Sequence, residues 1–249
     1  MKKENMEYFY QEAKLLCREE YQNCMINKTD SLEVCKRKIR KVTSCFESHL
    51  ETAWNYFKAV YDDIPVEYRM QIMMEDIYQG YRVNYPEMLQ YINHYIYYEE
   101  TEELRSGRIE MVKTLLTECV NEDGKVKVYR GMAEHFLMPE YAVSFTLDKD
   151  IAEFFVEYHK KRHGSRFGVV DSAEICVGNI LYYSNDREEQ EVFVLPTCVM
   201  DGYVPDSWEE MEYLDEVNME SYFWWAEDMQ VIDDLYDEEY SSTEMQYAG

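Results

Sequence analysis

The sequence predicts an α+β protein. An N-terminal all-helical region (1–120) precedes a strand-rich segment (121–204) and an acidic, aromatic tail (205–249). Three observations carry this. Apolar residues recur every three or four positions to about residue 119, the spacing of amphipathic helices. A turn cluster, Asn121-Glu122-Asp123-Gly124, then interrupts the pattern. Beyond it come short strand-like runs with one helix among them.

In the first segment Phe9, Ala13, Leu16, Cys17 and Cys24 share a helical face, and Asn27 to Asp30 break it. Asp30, with Glu33 three residues on, reads as an N-cap in a capping box. Leu32, Cys35, Ile39, Val42, Phe46, Leu50, Ala53, Phe57 and Val60 then predict one long helix ending near Tyr61, ahead of Asp62-Asp63-Ile64-Pro65. Shorter helices are expected at 66–80, 86–98 and 101–119. Strands are expected at Lys127–Arg130, Ala142–Thr146, Phe167–Val177, Ile180–Tyr183 and Glu191–Leu195. A helix capped by Asp148 should run to about Lys161, burying Ala152, Phe155, Val156 and His159 before Gly164 ends it. The tail, with Tyr222-Phe223-Trp224-Trp225, is expected to fold back through one or two helices, because exposed tryptophans are costly.

Composition narrows the function. The net charge is −26, and residues 201–249 hold sixteen acidic residues and no basic one. Such a chain is repelled by phosphate backbones and anionic membranes, so nucleic acid and membrane are disfavoured as partners. The basic cluster Lys36, Arg37, Lys38, Arg40 and Lys41 reads as the wet face of the long helix, or as a dock for an acidic segment. The seven cysteines form no CxxC pair, and Cys17, Cys24 and Cys35 read as small buried apolar residues. The five histidines (His49, His94, His135, His159 and His163) show no ligand-like grouping, so no metal is expected. With no apolar h-region near Met1, a reduced cytoplasmic setting is expected, or delivery into a target cell without a cleaved signal peptide.

Three elements in the second half stand in an order that carries chemistry. They are Val128-Tyr129-Arg130-Gly131, then Ser144-Phe145-Thr146, then Arg187-Glu188-Glu189-Gln190-Glu191 running into Val192-Phe193-Val194-Leu195. Breaking the nicotinamide–ribose bond of NAD develops positive charge on the ribose, which a fixed carboxylate stabilises. An arginine fork matches pyrophosphate oxygens. A glycine beside it lets backbone approach the nicotinamide amide. A strand serine can orient the carboxylate by a hydrogen bond. In an extended chain Glu189 and Glu191 share a face. One can stabilise the ribose cation while the other positions or deprotonates the acceptor. The switch from charge to Val-Phe-Val-Leu predicts that Glu191 enters a buried strand.

This ordered set, over about residues 125–200, resembles the arginine–serine–glutamate class of mono-ADP-ribosyltransferases, which includes bacterial toxins and phage enzymes. The resemblance implies a split β-sandwich of two small packed sheets, with NAD as co-substrate and no metal. It implies that Arg130 and Gly131 bind NAD, that Ser144 is the first serine of the family's Ser-Thr-Ser strand, and that Glu191 is the catalytic glutamate, with Glu189 two residues earlier. Ser-Phe-Thr replaces Ser-Thr-Ser: Thr146 supplies the last hydroxyl, and Phe145 stands where the family has a threonine. Arg166 and Phe167, after Gly164-Ser165, fall where the family places a phosphate–nicotinamide loop. Tyr182 to Glu188 would be the target-recognition loop. The Glu-x-Glu pair goes with arginine as acceptor, so the expected partner is a protein carrying that arginine. Two alternatives stand beside this reading: an NAD glycohydrolase on the same fold, and an inactive acidic protein that binds a basic surface. The tail, by its charge and aromatics, is expected to cover the cleft.

Overall fold

Helices come first along the chain and a five-stranded antiparallel sheet follows. The computed structural model describes residues 24–44, 50–133, 141–163, 168–185, 187–205 and 207. The first expected helix, the continuity of the long helix across 45–49, and the tail beyond 207 lie outside the described residues. The described residues as far as Val204 form one compact unit.

The helices are α1 (Leu32–Thr43), α2 (Leu50–Val60), α3 (Arg69–Ile72), α4 (Tyr85–His94) and α5 (Glu102–Leu115). Widened π-helical turns continue α3 over Met73–Tyr78 and α4 over Tyr95–Glu99. Helix α1 buries Cys35, Ile39 and Val42, as its periodicity predicts. It starts after Ser31, whose side chain makes no cap bond, so Asp30 is not the N-cap. The Asp30 carboxylate instead accepts from the Asn27 amide at 2.9 Å and from Lys38 Nζ at 2.6 Å. Asn84 and Thr101 do cap α4 and α5, accepting from the amides of Glu87 and Leu104.

The basic cluster of α1 is not simply a wet face. Lys36 is buried against Glu75, Arg40 pairs with Asp76 and Glu75, and Lys38 holds Asp30. Glu75 also accepts from Gln71 at 3.2 Å and from the Tyr182 hydroxyl at 2.9 Å, so this polar cluster ties α1 and the π-helical turn to the sheet.

The strands are β1 (Lys125–Ala133), β2 (Ser144–Thr146), β3 (Gly168–Cys176), β4 (Ile180–Ser184) and β5 (Glu191–Val194), in the order β3-β1-β2-β5-β4. Helix α6 (Lys149–His163) lies between β2 and β3, and the short α7 (Thr197–Met200) follows β5. The α+β class therefore stands. In place of two packed sheets, the described residues form one continuous sheet, because β2 pairs with β1 as well as β5. The β1–β2 junction is slight. Tyr129 opposite Thr146 is its one register pair, whereas β1 and β3 pair over nine positions.

Side chains alternate across the sheet. On one face Val126, Val128, Phe145, Val192 and Val194 close over Val112 and Leu116. On the other, α6 lies against β1 and β3 at two glycines. A Cβ on Gly131 would stand 2.2 Å from the Ala152 carbonyl oxygen, and one on Gly168 would stand 2.4 Å from Val156 Cγ1. The rest of that face is met by Tyr78, whose ring lies 5.9 Å from that of Phe193. Phe193 is fully buried, and all four residues of β5 are buried, so this strand is covered on both faces.

Gly131→Ala should cost about 2–4 kcal/mol, since the methyl meets helix backbone that can move only by shifting α6. Urea unfolding measures this, and a loss under about 0.5 kcal/mol would show that α6 is not seated on Gly131. A second expectation concerns pH. Burial alone would raise the Glu75 carboxyl above its ordinary 4.5, but hydrogen bonds from Lys36, Gln71 and Tyr182 and the charge of Lys36 hold it lower. A carboxyl depressed in the folded state contributes stability that is complete above its unfolded value and lost as pH falls through the folded one. Stability should thus decline as pH drops below 4.5, and Glu75→Gln should flatten that decline. Parallel curves for the two proteins would count against this assignment.

Candidate functional site

A cleft of about 520 Å³ opens on the sheet face beside α6. Its floor comes from Arg130 and Gly131 of β1, Ser144 and Thr146 of β2, and Glu191 of β5. The three elements read from the sequence therefore meet in one place. Register explains how: Thr146 stands opposite both Tyr129 and Glu191, so β2 brings the end of β1 and the start of β5 to either side of itself.

Glu191 is the centre of the floor. It is 7% exposed, and each carboxylate oxygen is engaged. Ser144 Oγ donates to Oε1. Gln79 Nε2 donates to Oε2, and Arg187 Nη2 approaches the same oxygen at 3.1 Å. A buried charge without such donors would be strongly destabilising.

Arg130 sits where β1 and β2 part. Its Nη1 donates to the Ser144 carbonyl at 2.5 Å, supplying a partner the short ladder does not. The guanidinium carbon lies 5.8 Å from the centre of the Phe145 ring. Asp171 stands opposite on β3, and burial pushes its carboxyl up against the opposing pull of a backbone hydrogen bond from Ser172 and the Arg130 charge. Arg130 Nε is buried with no hydrogen-bond partner among the described residues, a donor left over inside the cleft wall. Gly131 also lines the cleft, but its missing side chain is already required by Ala152 of α6.

Thr146 is buried and acts on the loop ahead of β5. Its Oγ1 donates to the Glu189 carbonyl at 2.7 Å and accepts from the Asp148 amide at 3.1 Å. The loop spans Asn185–Gln190, because Tyr182, Tyr183 and Ser184, expected at its start, belong to β4. Glu189 is bracketed by two non-glycine residues with left-handed backbone, Glu188 at φ 60° and Gln190 at φ 47°. Such residues cost about 1 kcal/mol each, so the surroundings must hold them. The Asn185 side chain accepts from the Gln190 amide, the Asn185 carbonyl accepts from the Glu188 amide, and the Gln190 carbonyl accepts from the Leu147 amide.

The simple i, i+2 alternation thus fails between Glu189 and Glu191, since Gln190 is not extended. The two carboxylates are nonetheless linked through Arg187, whose Nη2 is 3.2 Å from Glu189 Oε2 and 3.1 Å from Glu191 Oε2. Burial pushes the Glu189 carboxyl up, Arg187 pulls it back, and the Glu191 charge adds to the rise.

Helix α6 and the helical region complete the walls. Helix α6 contributes Ala152, Phe155, His159 and Arg162, and Asp148 caps it through the Asp150 amide at 2.9 Å. Tyr78 and Gln79 come from the end of the π-helical turn. Sequence reading missed these two: they belong to a helical pattern whose period marks buried faces, and nothing in it signals contact with a carboxylate 112 residues away. Arg166, Phe167 and His135 lie outside the described residues. Among the described residues no group of three or more His, Cys, Asp or Glu could hold a metal ion, and no helix is long and apolar enough to cross a membrane.

No protein-family model, curated protein or solved structure matches the chain.

Thr146→Val keeps the shape of the side chain but removes both bonds of the hydroxyl. It should destabilise the fold by about 1–3 kcal/mol and speed amide exchange at Glu188 and Gln190. Exchange at wild-type rates would mean that the threonine does not hold the loop.

Proposed function

We propose that this chain is an NAD-dependent mono-ADP-ribosyltransferase that moves ADP-ribose from NAD to arginine on a protein and releases nicotinamide. The observation that carries the reading is the Ser144–Glu191 hydrogen bond on adjacent strands, at the floor of a cleft that Arg130 also lines. A serine that fixes a buried carboxylate is what stabilisation of a ribosyl cation requires, because donors and charges set in advance cost no reorganisation when charge develops. The finer fold assignment, an ADP-ribosyltransferase-like arrangement, belongs to the same proposal.

The roles follow from the side chains. Arg130 stays charged and has a spare buried donor in Nε, so it suits a phosphate oxygen. A cleft of about 520 Å³ is of the size that nucleotide-like ligands use. As the C1–N bond of the nicotinamide riboside breaks, nicotinamide leaves with the bonding electrons and Glu191 stabilises the positive ribose. A guanidine nitrogen of the acceptor then bonds to C1. Glu189, its carboxyl raised by burial, takes the proton that the acceptor loses.

Nicotinamide release by the purified chain, with and without cell lysate, tests this. Glu191→Gln should lower release by about 100-fold or more while leaving the fold intact. Release that survives the substitution would refute the assignment. NAD loss without labelled protein would make water the acceptor. No release from wild type with lysate present would turn the reading toward the binding protein.

A further inference from the structure

Arg187 has no place in the bond-breaking step, yet it holds a central position. Its Nη2 bridges Glu189 Oε2 at 3.2 Å and Glu191 Oε2 at 3.1 Å, and Nη1 reaches the Gln79 carbonyl at 3.4 Å. One guanidinium group thus spans both carboxylates of the Glu-x-Glu pair and is tied to the helical wall. Its side chain is 45% exposed, so it reaches in from solvent and is not a core residue. It stands on the Asn185–Gln190 loop, next to Glu188 with its left-handed backbone.

We infer that Arg187 is an internal guanidinium occupying the place of the acceptor arginine, so that an incoming acceptor must displace it. The inference rests on the transferase reading for its meaning, and it names the ligand class of the subsite: a guanidinium held between Glu189 and Glu191. Two guanidinium groups cannot share this space, because both are cations and Glu191 Oε2 already accepts from Gln79 as well. Displacement is feasible because the guanidinium is the solvent-facing member of the pair, at 45% exposed, and an incoming guanidinium replaces the donor that Glu191 loses. The loop therefore sets a threshold: a guanidine with additional contacts to the protein enters, and a weakly bound one does not.

Agmatine, a small guanidine, is the probe, titrated calorimetrically into the full chain without NAD. Arg187→Gln should tighten agmatine binding about three- to fivefold. Arg187→Lys, which keeps the charge but loses the fork, should fall between the two. Adding Glu189→Gln to Arg187→Gln should remove the gain. In the NAD reaction the KM for agmatine should fall by the same factor. Equal or weaker agmatine binding by Arg187→Gln, or a gain that survives Glu189→Gln, would overturn the inference. Failure of the transferase reading would show separately, as wild type that releases no nicotinamide while the titration still reports on the subsite.

Discussion

One buried carboxylate organises this molecule. Glu191 is almost withdrawn from water at the first position of a strand covered on both faces. An ionised carboxylate there needs donors, and they come from three parts of the chain: Ser144 from the neighbouring strand, Gln79 from the helical region and Arg187 from the preceding loop. Each donor constrains its own element. Ser144 requires β2 in register with β5, Gln79 requires the end of the π-helical turn to reach the sheet, and Arg187 requires a loop with two left-handed residues. The cleft is the space these requirements leave beside α6.

Much of this was legible in the sequence, and the limits have physical causes. Strand patterning located all five strands, since each alternates or is continuously apolar over four or more residues, apart from the short β2. The order Arg130, Ser144, Glu191 could be read as one site because β2 pairs with the strands of both other members. The Asp30 cap failed because the helix begins one residue later, at Leu32 after Ser31, and the Asp30 carboxylate turns to Asn27 and Lys38. The wet-face reading holds for Arg37, Arg40 and Lys41, which are exposed, and fails for Lys36, which Glu75, thirty-nine residues on, draws in. Gln79 was invisible for the same reason. Helical period reports which side of a helix is buried, and it is silent on a polar residue where the helix ends.

The helical region is thus part of the site. Tyr78 packs edge-on against Phe193, beneath the strand that carries Glu191, and Tyr182 of β4 joins Glu75 and Gln71 of the helical region through hydrogen bonds. The turn at 121–124 marks a change of element type, while the packing continues across it: Val112 and Leu116 share a core with Val126 and Val192.

The order of strands has a consequence for synthesis. Among the described residues β5 is the last strand made, yet it lies between β2 and β4 in the interior of the sheet. Gln79 leaves the ribosome 112 residues before its partner. At ordinary elongation rates that is a wait of roughly 5–20 s. Until then β2 and β4 each present an unpaired edge, and the cleft has no floor. A chain cut short before residue 191 holds Arg130 and Ser144 without the carboxylate they flank. The floor of the cleft is therefore completed only when β5 inserts.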